Sequence, residues 1–197
     1  MLRAALGFRA HSGWSAMVTL ECSSEPELIE RRMVELVDRR IRGSEQPYHA
    51  AAEMKLTDAE KFLERCAGTA LAMATQSVKG ALSELTNRGY EIAGACVLQG
   101  SGRPVSDLAA TLRSHPMIHT AEGDFFRQAL QKACESCGVA PLRVNEKGLM
   151  DRAADTIRIS PVELQRRIAA LGRTVGPPWR QDEKLCTIAA WLVLASR

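Results

Sequence analysis

The residues able to bind ligands or move protons gather in a few short stretches. Arg9, His11 and Ser12 crowd the turn His11-Ser12-Gly13, which lies between two apolar runs. A guanidinium, an imidazole and a hydroxyl are all hydrogen-bonding groups, and His11 alternatively only shapes the turn. Gln99-Gly100-Ser101-Gly102-Arg103-Pro104 follows the apolar run from Tyr90 to Leu98. A Gly-rich loop at the carboxyl end of a buried strand is where open α/β sheets bind ligands. The glycine spacing fits neither a P-loop nor a dinucleotide fingerprint, so a plain turn stands as the alternative. His119 and Glu122 lie at the start of the helix after this loop. The imidazole could act as general base or metal ligand; the carboxylate could equally serve the helix dipole.

Cys134-Glu135-Ser136-Cys137 is the one close pair among six cysteines. A zinc site would need a second pair or histidines at ligand spacing after it, and none follows. A redox pair usually opens a helix, where the dipole lowers the thiol pKa, whereas this one closes a helix just before Gly138. The cysteines therefore read as reduced core or surface thiols, and Trp14, Trp179 and Trp191 as core residues.

With 46% apolar and 25% charged residues, the 197-residue chain has the make-up of one globular domain. A net charge of +3 is too mild to argue for nucleic acid by itself. No apolar run reaches the roughly 18 residues that span a bilayer. The first residues are too soon interrupted for a signal peptide, so a cytoplasmic protein without a membrane partner is expected.

The elements that must position these residues follow from turn chemistry and periodicity. Residues 4–10, 14–22 and 27–37 read as three strands joined by short turns, hence an antiparallel meander. Residues 38–56 form a long connection, either functional or simply solvated. Thr57-Asp58-Ala59-Glu60 reads as a capping box for a helix over 58–88, and Tyr90–Leu98 as a buried strand. Ser106 is placed as the cap of a short helix to Arg113, broken by His115-Pro116. Thr120 is placed as the cap of a helix over 121–137. A strand over 140–144 follows, then helices opened by Asn145 and by Ser160-Pro161-Val162-Glu163, the second stopped at Gly172. The last helix, about 179–196, is almost wholly apolar from Ile188 to Ala195 and should pack deeply.

This order, with Leu6-Gly7-Phe8 on the first strand, the Ser12 turn and the return Gly13-Trp14-Ser15-Ala16-Met17-Val18, resembles the Holliday-junction resolvase branch of the ribonuclease H-like superfamily. Gln181-Asp182-Glu183-Lys184 before an Ala-rich apolar helix is similar to that family's last helix, whose first turn carries an acid. The resemblance implies an α/β ribonuclease H-like fold: a three-stranded antiparallel meander, then alternating helices and strands, in a mixed five-stranded sheet with helices on both faces. It covers 1–197 as a single domain, with a helical insertion at about 145–176.

In that superfamily, carboxylates from the first strand, the fourth strand and the last helix hold two divalent ions that activate water and stabilise phosphoryl transfer. Here Arg9 stands at the first position and Leu98-Gln99-Gly100 at the second; only Asp182 fits. The cofactor is therefore left unassigned: Mg²⁺ is what the resemblance implies, and Arg9 disfavours it. The same resemblance would converge Arg9, His11, Ser12, Gln99, Ser101, Arg103, Asp182 and Lys184 as a ligand site. His119 and Glu122 would join from the rim, with Asp182, His119 and Glu122 as the catalytic candidates. Arg9 with Asp182 is alternatively a structural ion pair where relatives hold metal.

The expected function is nucleic-acid-linked, on a nuclease-like fold with an altered site; an enzyme would be a hydrolase of phosphate esters. The alternative is a non-catalytic binding or scaffold protein for a phosphorylated ligand or a protein partner, with 145–172 as the docking surface. A homodimer is a further expectation.

Overall fold

The hairpin forms because Gly13, at φ +81°, closes a two-residue turn between apolar strands. In the computed structural model, which describes residues 2–22, 25–102 and 107–196, β1 (Arg3–His11) and β2 (Trp14–Cys22) pair antiparallel from His11↔Trp14 to Ala4↔Glu21. β3 (Pro26–Glu35) adds to β2, completing the meander. The other strands are β4 (Glu91–Gln99) and β5 (Pro141–Asn145), each parallel to its neighbour, in the order β3-β2-β1-β4-β5. β1, β3, β4 and β5 run the same way, so their carboxyl ends share one edge of the sheet.

Helices cover both faces. On one lie α2 (Leu56–Asn87) and α4 (His115–Ser136), whose Ala70, Ala74, Val78, Phe126 and Leu130 bury Leu6, Phe8 and Val97. On the other lie α5 (Leu149–Ile157), α6 (Pro161–Val175) and α7 (Gln181–Ala195). Cys186 through Leu194 are all buried, because α7 is sandwiched between the sheet and the two helices outside it. Each fully buried Leu or Ile there contributes about 1.5–3 kcal/mol. Contact with β1 is backbone to backbone: a Cβ on Gly7 would lie 2.0 Å from the Cys186 carbonyl oxygen. That glycine sets how closely the start of α7 approaches the end of β1.

Several local expectations need correction. Residues 38–56 contain a short helix, α1 (Pro47–Ala52), with Pro47 in its first turn. α2 starts at Leu56 behind an extended Lys55, so Thr57-Asp58-Ala59-Glu60 lies inside the helix and caps nothing. Ser106 lies outside the described residues; Asp107 caps α3 (Leu108–Leu112) by accepting from the Ala110 N–H at 3.2 Å. α4 starts at His115 rather than after Thr120, with Ser114 as its N-cap. Pro116 does not break it, because a first-turn residue has no intrahelical acceptor to lose. The Thr120 hydroxyl instead donates to the Pro116 carbonyl at 3.1 Å. α6 runs through Gly172 to Val175, and that glycine's bare backbone seats Trp179, whose Cδ1 would lie 2.2 Å from a Cβ. Ser160 does cap α6, accepting from the Glu163 N–H.

Cys66, Cys96, Cys134 and Cys186 are buried and Cys137 partly so; all are free thiols. Burial pushes the Cys96 and Cys134 thiols up to about 12, which leaves them poor nucleophiles. Trp191 is buried in the α7 core, with Trp14 and Trp179 packed against it. Among the described residues, no helix is long and apolar enough to cross a membrane.

Candidate functional site

Arg9 lies two residues before the end of β1, where the strand leaves the core, held from behind by the buried Ser15, whose hydroxyl lies 3.0 Å from the Arg9 carbonyl oxygen. Its guanidinium grips Glu146, just past β5, through two parallel bonds of 3.0 Å, Nε to Oε1 and Nη2 to Oε2. Nη1 donates to Asp182 Oδ1 at 2.5 Å, on the first turn of α7. His11 Nε2 lies 2.8 Å from the same Oδ1, which places the ring proton on Nε2. The His11 ring stacks on Trp14, centroids 4.3 Å apart and planes 14° apart, so imidazole and carboxylate fix each other's orientation. Burial works against the charge on Arg9, but hydrogen bonds and attraction from Glu146 and Asp182 prevail and hold its pKa above the ordinary value. Burial likewise pushes Asp182 up, and bonds from Arg9 and His11 outweigh it, leaving the carboxyl below the usual 3.8.

Three of the expected residues, Arg9, His11 and Asp182, thus converge, and Glu146 joins them. Ser12 is exposed on the turn, beside a shallow cleft it shares with Arg39 and Arg42. Lys184 is half-buried in the first turn of α7. Gln99 faces α4: its Oε1 accepts from Gln131 Nε2 at 3.1 Å, and its own amide donates to the Val97 carbonyl. With Gly100, Arg127, Lys132, Arg143 and Asn145 it lines a polar cleft of about 510 Å³. A Cβ on Gly102 would lie 2.5 Å from Thr120 Cγ2, so that glycine allows the loop to approach α4 closely; one on Gly100 would meet only the movable end of the Arg127 side chain, at 2.7 Å. Ser101 is exposed, and Arg103 lies outside the described residues.

His119 and Glu122 belong to a second cluster. Glu122 is eight residues into α4 and serves the start of α1, not of its own helix. Its Oε1 accepts the Tyr48 and His49 backbone N–H groups at 3.1 and 3.3 Å, which supply the capping that Gln46 does not. Its Oε2 takes His49 Nδ1 at 2.6 Å. Tyr48 meets Phe125 edge-on at 6.1 Å, docking α1 on α4. His49 then faces His115 and His119, which project from successive turns of α4, with ring centroids 4.4–5.5 Å apart. One nitrogen from each of the three lies within 4.8 Å of the others. The i, i+4 spacing of His115 and His119 was visible in the sequence, but reading Pro116 as a break hid it.

Sheet order, hairpin and terminal helix define a ribonuclease H-like α/β fold. Thermus thermophilus RuvC in complex with a Holliday junction substrate matches with a TM-score of 0.55 over 96% of this chain and 91% of that one, at 9% identity. Another Thermus thermophilus RuvC structure matches at 0.51 over 96% and 92%, at 10% identity. At such identity the likeness is one of fold. No family model matches the chain, and no curated protein matches it in sequence.

The two-cation centre implied by the sequence resemblance does not fit the residues at the end of β1. Both Glu146 oxygens and Asp182 Oδ1 accept hydrogen bonds from Arg9. A guanidinium has no lone pair to offer a cation and repels one placed beside it.

Proposed function

We propose that this protein binds nucleic acid at the carboxyl edge of its sheet and does not hydrolyse it by a two-cation mechanism. The observation that carries this reading is Arg9, bonded at once to Glu146 and Asp182 where the resemblance puts metal ligands. The fold it shares with RuvC, one structure of which holds a Holliday junction substrate, supports the ligand class. Exposed cations flank the edge: Arg143 in β5, Lys147 just after it and Arg180 before α7. Such side chains attract a phosphate backbone and release its counterions. In this reading 1–197 acts as one domain, with the helices of 145–176 as an elaboration.

The test is fluorescence anisotropy with a labelled four-way junction, a duplex and a single strand, from about 50 to 200 mM salt. Affinity should fall steeply with salt, and Lys147→Ala and Arg180→Ala should each lower the slope by about 1. Incubation with Mg²⁺ or Mn²⁺ should leave all three substrates intact. Cleavage that depends on Mg²⁺ and is lost in Asp182→Asn would overturn the non-hydrolytic part. No affinity at low salt would overturn the nucleic-acid part. The Gln99 cleft supports a second reading, a small phosphorylated ligand, on Lys132 together with Arg127 and Arg143, which are themselves paired with Asp124 and Glu135 in the same cleft.

A further inference from the structure

We infer that His49, His115 and His119 form a binding site for a zinc-class divalent ion, with Glu122 as its positioning residue and one coordination position open to solvent. The site is separate from the proposed nucleic-acid edge chemistry and stands whether or not nucleic acid binds.

Donor chemistry comes first. Three imidazoles from two helices turn their rings toward one another, with a nitrogen of each within 4.8 Å of the other two. Tetrahedral zinc with bonds of about 2.0–2.1 Å places its nitrogen ligands roughly 3.3 Å apart. Closing the difference takes small rotations of His115 and His119, which are exposed and can make them. Nitrogen-only donors select zinc, copper or nickel over magnesium and calcium, which take oxygen.

The support beneath the ligands is more telling than their proximity. Glu122 is 4% exposed, yet both its oxygens are engaged, one by two backbone N–H groups of α1 and the other by His49 Nδ1. It is therefore occupied as an orienter and leaves Nε2 as the His49 nitrogen for the ion. A carboxylate on the far nitrogen of a ligating histidine fixes its tautomer and ring plane and makes it a better donor. His115 and His119 have the spacing that puts two ligands on one helix face. Three protein ligands fill three of four positions, and the exposure of His115 and His119 leaves the fourth to water or an exchangeable ligand.

The test uses tag-free, metal-stripped full-length protein titrated calorimetrically with Zn²⁺, and spectroscopically with Co²⁺. Expected are one ion per chain and visible cobalt bands that shift on adding azide. His115→Ala and His119→Ala should each abolish the one-to-one isotherm, and both should fold because the side chains are exposed. Glu122→Gln should weaken binding by about 10–100-fold. Cys137→Ser should bind as the parent does. Absence of stoichiometric binding, binding that survives His119→Ala, or binding lost in Cys137→Ser would overturn the site. Cobalt bands indifferent to azide would overturn the open position.

Discussion

Two polar clusters stand where strands β1, β3, β4 and β5 end, and they dispose of their charge in opposite ways. The Arg9 cluster closes on itself. One guanidinium meets two carboxylates, a histidine completes the set, and their side chains are roughly a quarter to a third exposed. The histidine cluster spends its single carboxylate on orientation and leaves imidazole nitrogens facing one another and the solvent. In the first arrangement every group is paired within the cluster, which stabilises the junction of β1, β5 and α7; the second is built with donor capacity to spare. On a fold whose resolvase-type resemblance directs attention to the end of β1, the receptive chemistry lies instead between α1 and α4.

The largest effect should come from the contact that seats α7. In Gly7→Ala the new Cβ meets the Cys186 carbonyl oxygen at 2.0 Å, backbone against backbone, so the helix must move. We expect a loss of about 3 kcal/mol in urea unfolding. The shift should displace Asp182 from Arg9 while leaving zinc stoichiometry at His49, His115 and His119 unchanged in the folded protein. A loss below about 0.5 kcal/mol would mean that α7 does not rest on β1 in this way.

Arg9→Met comes next. It leaves Asp182 and Glu146 without their shared cation, and we expect about 2 kcal/mol of destabilisation, less than for a fully buried pair because water reaches the site. Arg9→Asp sharpens the comparison. With the guanidinium gone and a third carboxylate present, millimolar Mn²⁺ should raise its melting temperature and leave that of the parent unchanged. Equal responses of the two proteins to Mn²⁺ would contradict the view that Arg9 is what keeps cations out.

How far this was readable in the sequence depended on whether a signal was local. The meander was legible because turn residues punctuate its strands, and α7 because its apolar run is unbroken. The link between Arg9 and Asp182 came through the family resemblance, since nothing local joins residues at opposite ends of the chain. Glu146 was missed because only the pairing of Gln99 with Asn145 brings the end of β5 to this edge. His49 was missed because the residues around it lack periodicity, and its helix is fixed from outside by Glu122. In each case the missing information was tertiary.

A smaller effect should appear in acid. Asp182 has a folded pKa below its ordinary 3.8, since hydrogen bonds from Arg9 and His11 outweigh the upward push of burial. A carboxyl with a depressed folded pKa contributes stability that is present above the unfolded value and is lost as pH falls through the folded one. The parent should therefore lose stability on acidification from about pH 5 to below 3.8 more steeply than Asp182→Asn. Asp38 and Glu163, held down at about 2 by Arg40 and by Arg166 and Arg167, add the same slope to both proteins and cancel in the difference. Parallel acid limbs for the two would show that Asp182 gains nothing from its partners.

The smallest effect is the one that separates the clusters most cleanly. His119 is exposed and its ring contacts are with two other imidazoles, so His119→Ala in metal-free protein should change stability by less than about 0.5 kcal/mol. That is far below the expected cost of Arg9→Met, although both residues sit in polar clusters at the same end of the sheet. Zinc should reverse the order. At a free concentration of 100 times its dissociation constant, an ion bound only by the folded state adds about 2.7 kcal/mol. The parent and Arg9→Met should both gain that increment, and His119→Ala should gain none. If His119→Ala is costly without metal, the three histidines hold α1 to α4 as packing. If it is harmless and zinc still stabilises it, the ion lies elsewhere, and the contrast between a closed and a receptive cluster fails.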